Sequence, residues 1–202
     1  MTSHRADRRH FLSRTAQLAA AGTALPLLGQ RGALATETEP ALPPSARETG
    51  TATRALAFHH THTQEQISVV YAADGAYLPH ALSLLNRFMR DHYSGRVGNM
   101  DPQLFDLLHR LRLALDSAAL PPFEVISGYR CPETNSLLRQ SRGGGVARRS
   151  LHMDGRAIDV RLPGVPLAEV RDAALALQGG GVGYYPNEQF VHIDTGRVRR
   201  WG

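Results

Sequence analysis

The chain has 202 residues, 42% of them hydrophobic and 20% charged, enough for one globular domain with a real core and too short for two large ones. Its single cysteine, Cys131, excludes a disulfide framework or a cysteine-built zinc cluster within the chain. Its net charge of +5 is concentrated at the start: positions 1–35 hold five arginines and one aspartate, leaving 18 arginines against 17 acids beyond, so no concentrated basic face for nucleic acid is expected.

"DRRHFLS" (7–13) leads into a weakly apolar stretch, "TAQLAAAGTALPLLG" (15–29), and a small-residue site, "ALA" (33–35). This is the layout of a secretory signal, and the paired Arg8 and Arg9 ahead of Phe11 and Leu12 resemble the twin-arginine type. Residues 1–35 are therefore expected to be a cleaved twin-arginine signal peptide, which implies the twin-arginine export machinery as a partner and the periplasm as destination. The apolar stretch is too short to span a bilayer, so no stable membrane insertion is expected after cleavage. Residues 36–53, rich in Thr, Pro and Glu and lacking apolar periodicity, read as a flexible linker.

From 54 the pattern becomes that of a folded domain, expected to run to 202. Residues 54–77 alternate and carry a turn at Asp74-Gly75, predicting hairpin strands. Leu78, Leu82, Leu85 and Met89 predict a helix over 78–92, and Asp101-Pro102 opens a second whose buried stripe is Leu104, Leu108, Leu111 and Leu115. "FEVISGYR" (123–130) is a strand ending in a polar cluster, "PETNSLLRQ" (132–140) a short helix, and "SRGGGVARR" (141–149) a loop. "RAIDVRL" (156–162) predicts a strand, "PLAEVRDAALALQ" (166–178) an amphipathic helix, the glycines at 179–183 a tight turn, and "EQFVHIDTG" (188–196) a last strand. Helices first and a small antiparallel sheet afterwards make an α+β domain, a sheet with flanking helices.

Alternation sets Asp159 on the opposite face of its strand from Ile158 and Val160, and His192 opposite Val191 and Ile193. If the two strands are neighbours, Asp159 and His192 point the same way, and His152 can swing over them. Two imidazoles and a carboxylate suit a zinc ion with one position left for water. The same residues also serve as ordinary capping and salt-bridging side chains, and spacing leaves both readings open.

"ISGYR" (126–130), "SLHMDGRAIDVRL" (150–162) and "GGVGYYPNEQFVHIDTG" (180–196), with "DPQLFDLLHRL" and the terminal "RRW", resemble the murein endopeptidases of the MepK type. These belong to the superfamily of zinc D-Ala-D-Ala carboxypeptidases, lysostaphin-type peptidases and hedgehog domains. The resemblance implies a hedgehog/D-Ala-D-Ala-peptidase-like fold and zinc on His152, Asp159 and His192. It also implies hydrolysis of amide crosslinks between peptidoglycan stem peptides, of the 3-3 or 4-3 meso-diaminopimelate kind. Arg130 matches an arginine that faces the developing oxyanion. Ser127 and Tyr129 are expected to orient it, and Ser127, Tyr129 and Tyr184 to be substrate-binding residues. Many relatives carry an acid three residues before the last histidine ligand, where this chain has Gln189. Asp194 is then the candidate base or water-orienting group, or a carboxylate that only fixes a zinc histidine. Two other functions stay open: a zinc-stabilised peptidoglycan-binding domain without turnover, and a D-Ala-D-Ala carboxypeptidase. "HHTHT" (59–63), His80, His92 and His109 are expected to be surface or structural side chains, and Cys131 to be non-catalytic.

Overall fold

A computed structural model describes residues 52–115, 121–141 and 146–202. By its contacts the chain divides at 46/47, and every described residue falls in the second unit. The expected signal peptide, most of the expected linker and residues 142–145 of the expected loop lie outside the described residues.

The elements are strands β1 (Thr53–His60), β2 (Gln66–Ala73) and β3 (Ala76–Tyr77), helices α1 (Pro79–Phe88) and α2 (Pro102–Ala114), strand β4 (Phe123–Ser127), helix α3 (Pro132–Ser141), strand β5 (Ala157–Arg161), helix α4 (Leu167–Ala176), and strands β6 (Gly181–Tyr185), β7 (Phe190–Asp194) and β8 (Arg199–Trp201). Local chemistry accounts for several boundaries. Asp101 accepts the backbone N–H of Gln103 at 3.0 Å, with Pro102 preset at the first helical position, so α2 starts where the sequence signal predicts. The second hairpin turn, at Asp74-Gly75, places both residues at positive φ.

All eight strands join one sheet in the order β3-β2-β1-β4-β5-β7-β6-β8. The expectation of a small antiparallel sheet is thus corrected: β1 with β4 and β6 with β8 pair in parallel. The glycine-rich stretch expected to be a tight turn contributes a full strand, β6, and the chain's last segment adds β8. Close approach explains the glycines: a Cβ on Gly181 would lie 2.6 Å from an Asp194 side-chain oxygen, and one on Gly183 2.6 Å from the Trp201 ring.

One face of the sheet is apolar. Phe58 pairs with Phe123, Val160 lies between Val125 and Val191, and Ile193 lies between Ile158 and Val182. These side chains and the buried stripes of α1, α2 and α4 form one hydrophobic cluster, so the site's strands rest on a continuous core. On the opposite face, Ser127, Asp159, His192, Gly183 and Trp201 lie in register across five strands. A bulge between Val125 and Ser127 sets up that row by bringing Ser127 opposite Asp159 just before the chain leaves the sheet.

Candidate metal centre

β5 and β7 pair antiparallel with Asp159 directly across from His192, the neighbour relation that alternation required. His152 reaches the same point from the turn before β5. Its Nδ1 is 2.7 Å from the Gly128 carbonyl oxygen, which only accepts, so Nδ1 carries the proton and Nε2 offers a lone pair. The Nε2 of His192 lies 3.1 Å from a carboxylate oxygen of Asp194 and donates to it, leaving Nδ1 as the acceptor.

Three acceptor atoms therefore converge. His152 Nε2 and His192 Nδ1 are 3.2 Å apart, His192 Nδ1 and Asp159 Oδ1 2.9 Å, and His152 Nε2 and Asp159 Oδ1 3.3 Å. Zinc bonds of ~2.05 Å in a tetrahedron separate neighbouring ligand atoms by ~3.3 Å, so the triangle has the size of one face of such a site. Lone pairs facing one another at this range repel unless a cation lies among them. Burial opposes charge on His192, yet the hydrogen bonds to Asp159 and Asp194 outweigh it and raise its pKa to about 9. Burial also pushes Asp159 up, but the two imidazoles outweigh it and hold this carboxyl well below the usual range, while burial, against the pull of Asp159, lowers His152. Among the described residues these three side chains are the one group able to hold a metal ion.

Asp194 is completely buried, and five donors occupy its oxygens. Oδ1 receives the N–H groups of Gly181 at 3.0 Å and Gly196 at 2.8 Å and Arg199 Nη1 at 3.1 Å; Oδ2 receives His192 and, at 2.7 Å, Arg199 Nη2. Burial would raise its pKa, but these donors hold it well below the usual carboxylate range. Of the two roles the sequence leaves open, these contacts match the carboxylate that fixes a ligand histidine. Gln189 is not on β7, which begins one residue later. It sits in the preceding turn at φ +58°, its amide donating to the Pro186 carbonyl, and Glu188 shares that turn.

Arg130 follows the bulged end of β4. Its guanidinium lies 3.2 Å from Ser127 Oγ and 3.7 Å from Asp159 Oδ2, and its backbone N–H donates to the His152 carbonyl at 3.1 Å. Asp91, buried after α1, anchors the next residue by accepting the Cys131 N–H at 2.9 Å. Burial opposes its ionisation, but Thr134, Cys131 and Tyr93 bring its pKa down to about 2.

A cleft of about 350 Å³ opens over the triangle. Val146, Ala147, Arg149, Ser150 and Leu151 line it, as do Tyr185, Phe190, Arg199 and Trp201 from β6, β7 and β8, and Arg130. None of Ser127, Tyr129 and Tyr184 lines this cleft. Ser127 supports Arg130; the Tyr129 ring packs over Gly98; Tyr184 lies on the opposite face of β6 with Arg171 4.5 Å above its ring. The cleft tyrosine is Tyr185, whose hydroxyl accepts the Trp201 Nε1–H at 2.8 Å. Tyr185, Arg199 and Trp201 reach the cleft from β6 and β8, strands that the glycine-rich and terminal segments do not predict; the terminal "RRW" is the signal the sequence offers.

"HHTHT" holds one deeply buried member. His60 is 0% exposed, and beside it the exposed His62 ring stacks on the half-buried His92 ring at 4.0 Å, so His60 is a structural side chain and His62 a surface one, within the expectation. Cys131 is buried against Ser94 and Thr134, away from the cleft.

Residues 48–201 match a family model described as peptidoglycan L,D-endopeptidase MepK. The peptidoglycan L,D-endopeptidase MepK of Escherichia coli strain K12 is 43% identical over 148 residues, 73% of this chain and 80% of the relative. The MepK of Shigella flexneri matches to the same extent. A probable peptidoglycan L,D-endopeptidase MepK of Haemophilus influenzae is 43% identical over 151 residues, 73% of this chain and 78% of the relative. No solved structure matches the chain, so the likeness to hedgehog-type folds rests on sequence motifs. No helix among the described residues is long and apolar enough to cross a membrane.

Proposed function

The chain belongs to the family of MepK-type peptidoglycan L,D-endopeptidases, and from that membership we propose that it hydrolyses the amide crosslinks joining peptidoglycan stem peptides. The L,D designation of the relatives favours the 3-3 crosslink, in which an L-configured acyl centre is joined to a D-configured amine centre. The observation that carries the reading is the triangle of lone-pair atoms at 2.9–3.3 Å at the base of the cleft.

His152, Asp159 and His192 would hold the metal, which we propose to be zinc: two nitrogens and one oxygen suit it, and three protein ligands leave a position open. A bound divalent ion supplies Lewis acidity, lowering the pKa of water and polarising an amide carbonyl. The chain's own residues do the rest. Gly128 and Asp194 fix the tautomers and ring orientations of the two histidines, so both present lone pairs without rearrangement. Arg130, steadied by Ser127, donates hydrogen bonds to the carbonyl oxygen of the scissile amide as that oxygen gains charge. Asp194 is a positioning residue: five donors occupy its oxygens and no face of it meets the cleft. Tyr185 and Trp201, locked by their mutual hydrogen bond, form a firm wall against which a stem peptide lies.

The signal at 1–35 and the nature of the substrate support export by the twin-arginine route and action in the periplasm. The deciding experiment incubates the purified chain with 3-3 and 4-3 crosslinked muropeptide dimers, with chelator and after zinc is restored, and follows products by mass spectrometry. Loss of the 3-3 dimer that chelation stops and zinc restores is expected. Binding without products would instead indicate a wall-binding module, the reading that Gln189 favours, and release of free alanine a carboxypeptidase.

A further inference from the structure

The charges in the cleft do not balance. Arg130, Arg149 and Arg199 line it, and Asp159 is the acid among the lining residues. Two of the arginines have protein carboxylates at hand. Arg199 places both terminal nitrogens on Asp194, and Arg130 lies beside Asp159 and Ser127 with its side chain only 11% exposed. Arg149 differs: it is exposed, and among the described residues it has neither a hydrogen-bond nor an ion-pair partner. Its backbone is nonetheless held. Buried Asn135 donates to the Ala147 carbonyl at 3.1 Å, Ser150 is buried, and the Leu151 carbonyl accepts from Arg156 at 2.9 Å, three residues on from Arg149 being the ligand His152. A guanidinium on a pinned backbone, beside the metal ligands and without a countercharge, is built to meet an anion from outside.

The proposed substrate carries one at the right place. When the amine of an amino acid centre is acylated, the carbon next to the amide nitrogen still bears its carboxylate. In an L,D crosslink that carboxylate lies on the leaving-group side, two bonds from the nitrogen. We propose that Arg149 binds this carboxylate, with two parallel N–H···O bonds, and so sets which side of the crosslink enters the cleft as leaving group. The proposal rests on the crosslink-hydrolase reading above.

Its test compares two dimers differing in one group: the natural 3-3 dimer, and the same dimer with that carboxylate converted to its primary amide, which keeps the size and removes the charge. Affinity is measured by calorimetry on the metal-stripped full chain, and kcat/KM on the zinc-loaded chain. The natural dimer should bind ~10- to 100-fold more tightly than the amide, the effect of a charge-assisted hydrogen bond. Arg149→Gln should bind both equally, at the level of the amide, and Arg149→Lys should recover part of the difference. The exposed position gives no reason for misfolding, which unchanged thermal unfolding of both variants checks. Equal affinity of the native chain for the two dimers, no binding of either, or the same discrimination after Arg149→Gln overturns the proposal. Discrimination in binding with no cleavage of any dimer overturns the hydrolase reading and leaves the carboxylate site standing.

Discussion

Replacing Arg199 with alanine tests whether the buried Asp194 is held as an ion for the sake of His192. The substitution removes charge-assisted contacts at 2.7 and 3.1 Å from a carboxylate with no exposure of its own. Breaking a buried ion pair from one side costs ~3–5 kcal/mol. The lower end applies, because the Arg199 side chain is 32% exposed and Asp194 keeps His192 and two backbone N–H donors. The metal-stripped chain should therefore lose ~3 kcal/mol in urea unfolding at neutral pH. Arg199 is one of the donors holding the Asp194 carboxyl below its unfolded value, which stabilises the fold above that value and is lost as pH falls. Without Arg199 the native carboxyl lies closer to its unfolded value, so this loss on acidification should be smaller and complete at higher pH. A carboxylate that orients His192 less firmly should also weaken zinc binding ~10- to 100-fold in competition with a chromophoric chelator. Arg199→Lys, which restores charge but not the two-pronged contact, should fall between. A loss below ~0.5 kcal/mol, the size of an ordinary surface change, together with unaltered zinc affinity would refute this account of the pair.

Gly183→Ala drives a methyl into the Trp201 indole, where the nearest ring atom would be 2.6 Å away; it should cost ~1–3 kcal/mol and, by breaking the bond to Tyr185, alter the fluorescence of the chain's one tryptophan, so an unchanged spectrum would count against the locked wall. Burial, then the neighbouring His92 and His62, lower His60 from 6.5 to about 4, so the unfolded chain takes up a proton that the native site refuses and stability should fall as pH drops from 6.5 towards 4. The full displacement is worth ~3 kcal/mol, and His60→Gln should flatten that part of the pH–stability curve; an unaltered slope would assign it elsewhere. Chelation should abolish hydrolysis and lower the melting temperature, and His152→Ala should make the chain insensitive to added zinc in both respects, as read by calorimetry; a zinc-dependent rise in the variant's melting temperature would place the ion at other ligands.

The heart of the site was legible because strand alternation is local. An acid at 159 amid Ile158 and Val160, and a histidine at 192 between Val191 and Ile193, must point away from the core, and the observed register sets them opposite each other. The rest depends on distant parts of the chain. Glycines at 181 and 183 read as a turn, yet they are strand positions kept bare by Asp194 and Trp201, which a one-dimensional reading does not bring near. One step along that strand changes the face, so Tyr185 lines the cleft and Tyr184 does not. The bulge that turns Ser127 towards Asp159 has no local mark in "FEVIS", and the burial of His60 depends on His92, 32 positions on.

β8 is three residues long and hangs on β6 alone, yet it brings both Arg199 and Trp201. Trimming the tail by four residues would spare every member of the central cluster while stripping a sealed acid of its countercharge and the binding trough of its flank. Such a clipped molecule should keep its backbone signature in circular dichroism and still be crippled, so an intact terminus, verified by mass, is the first control for any sample that shows no turnover.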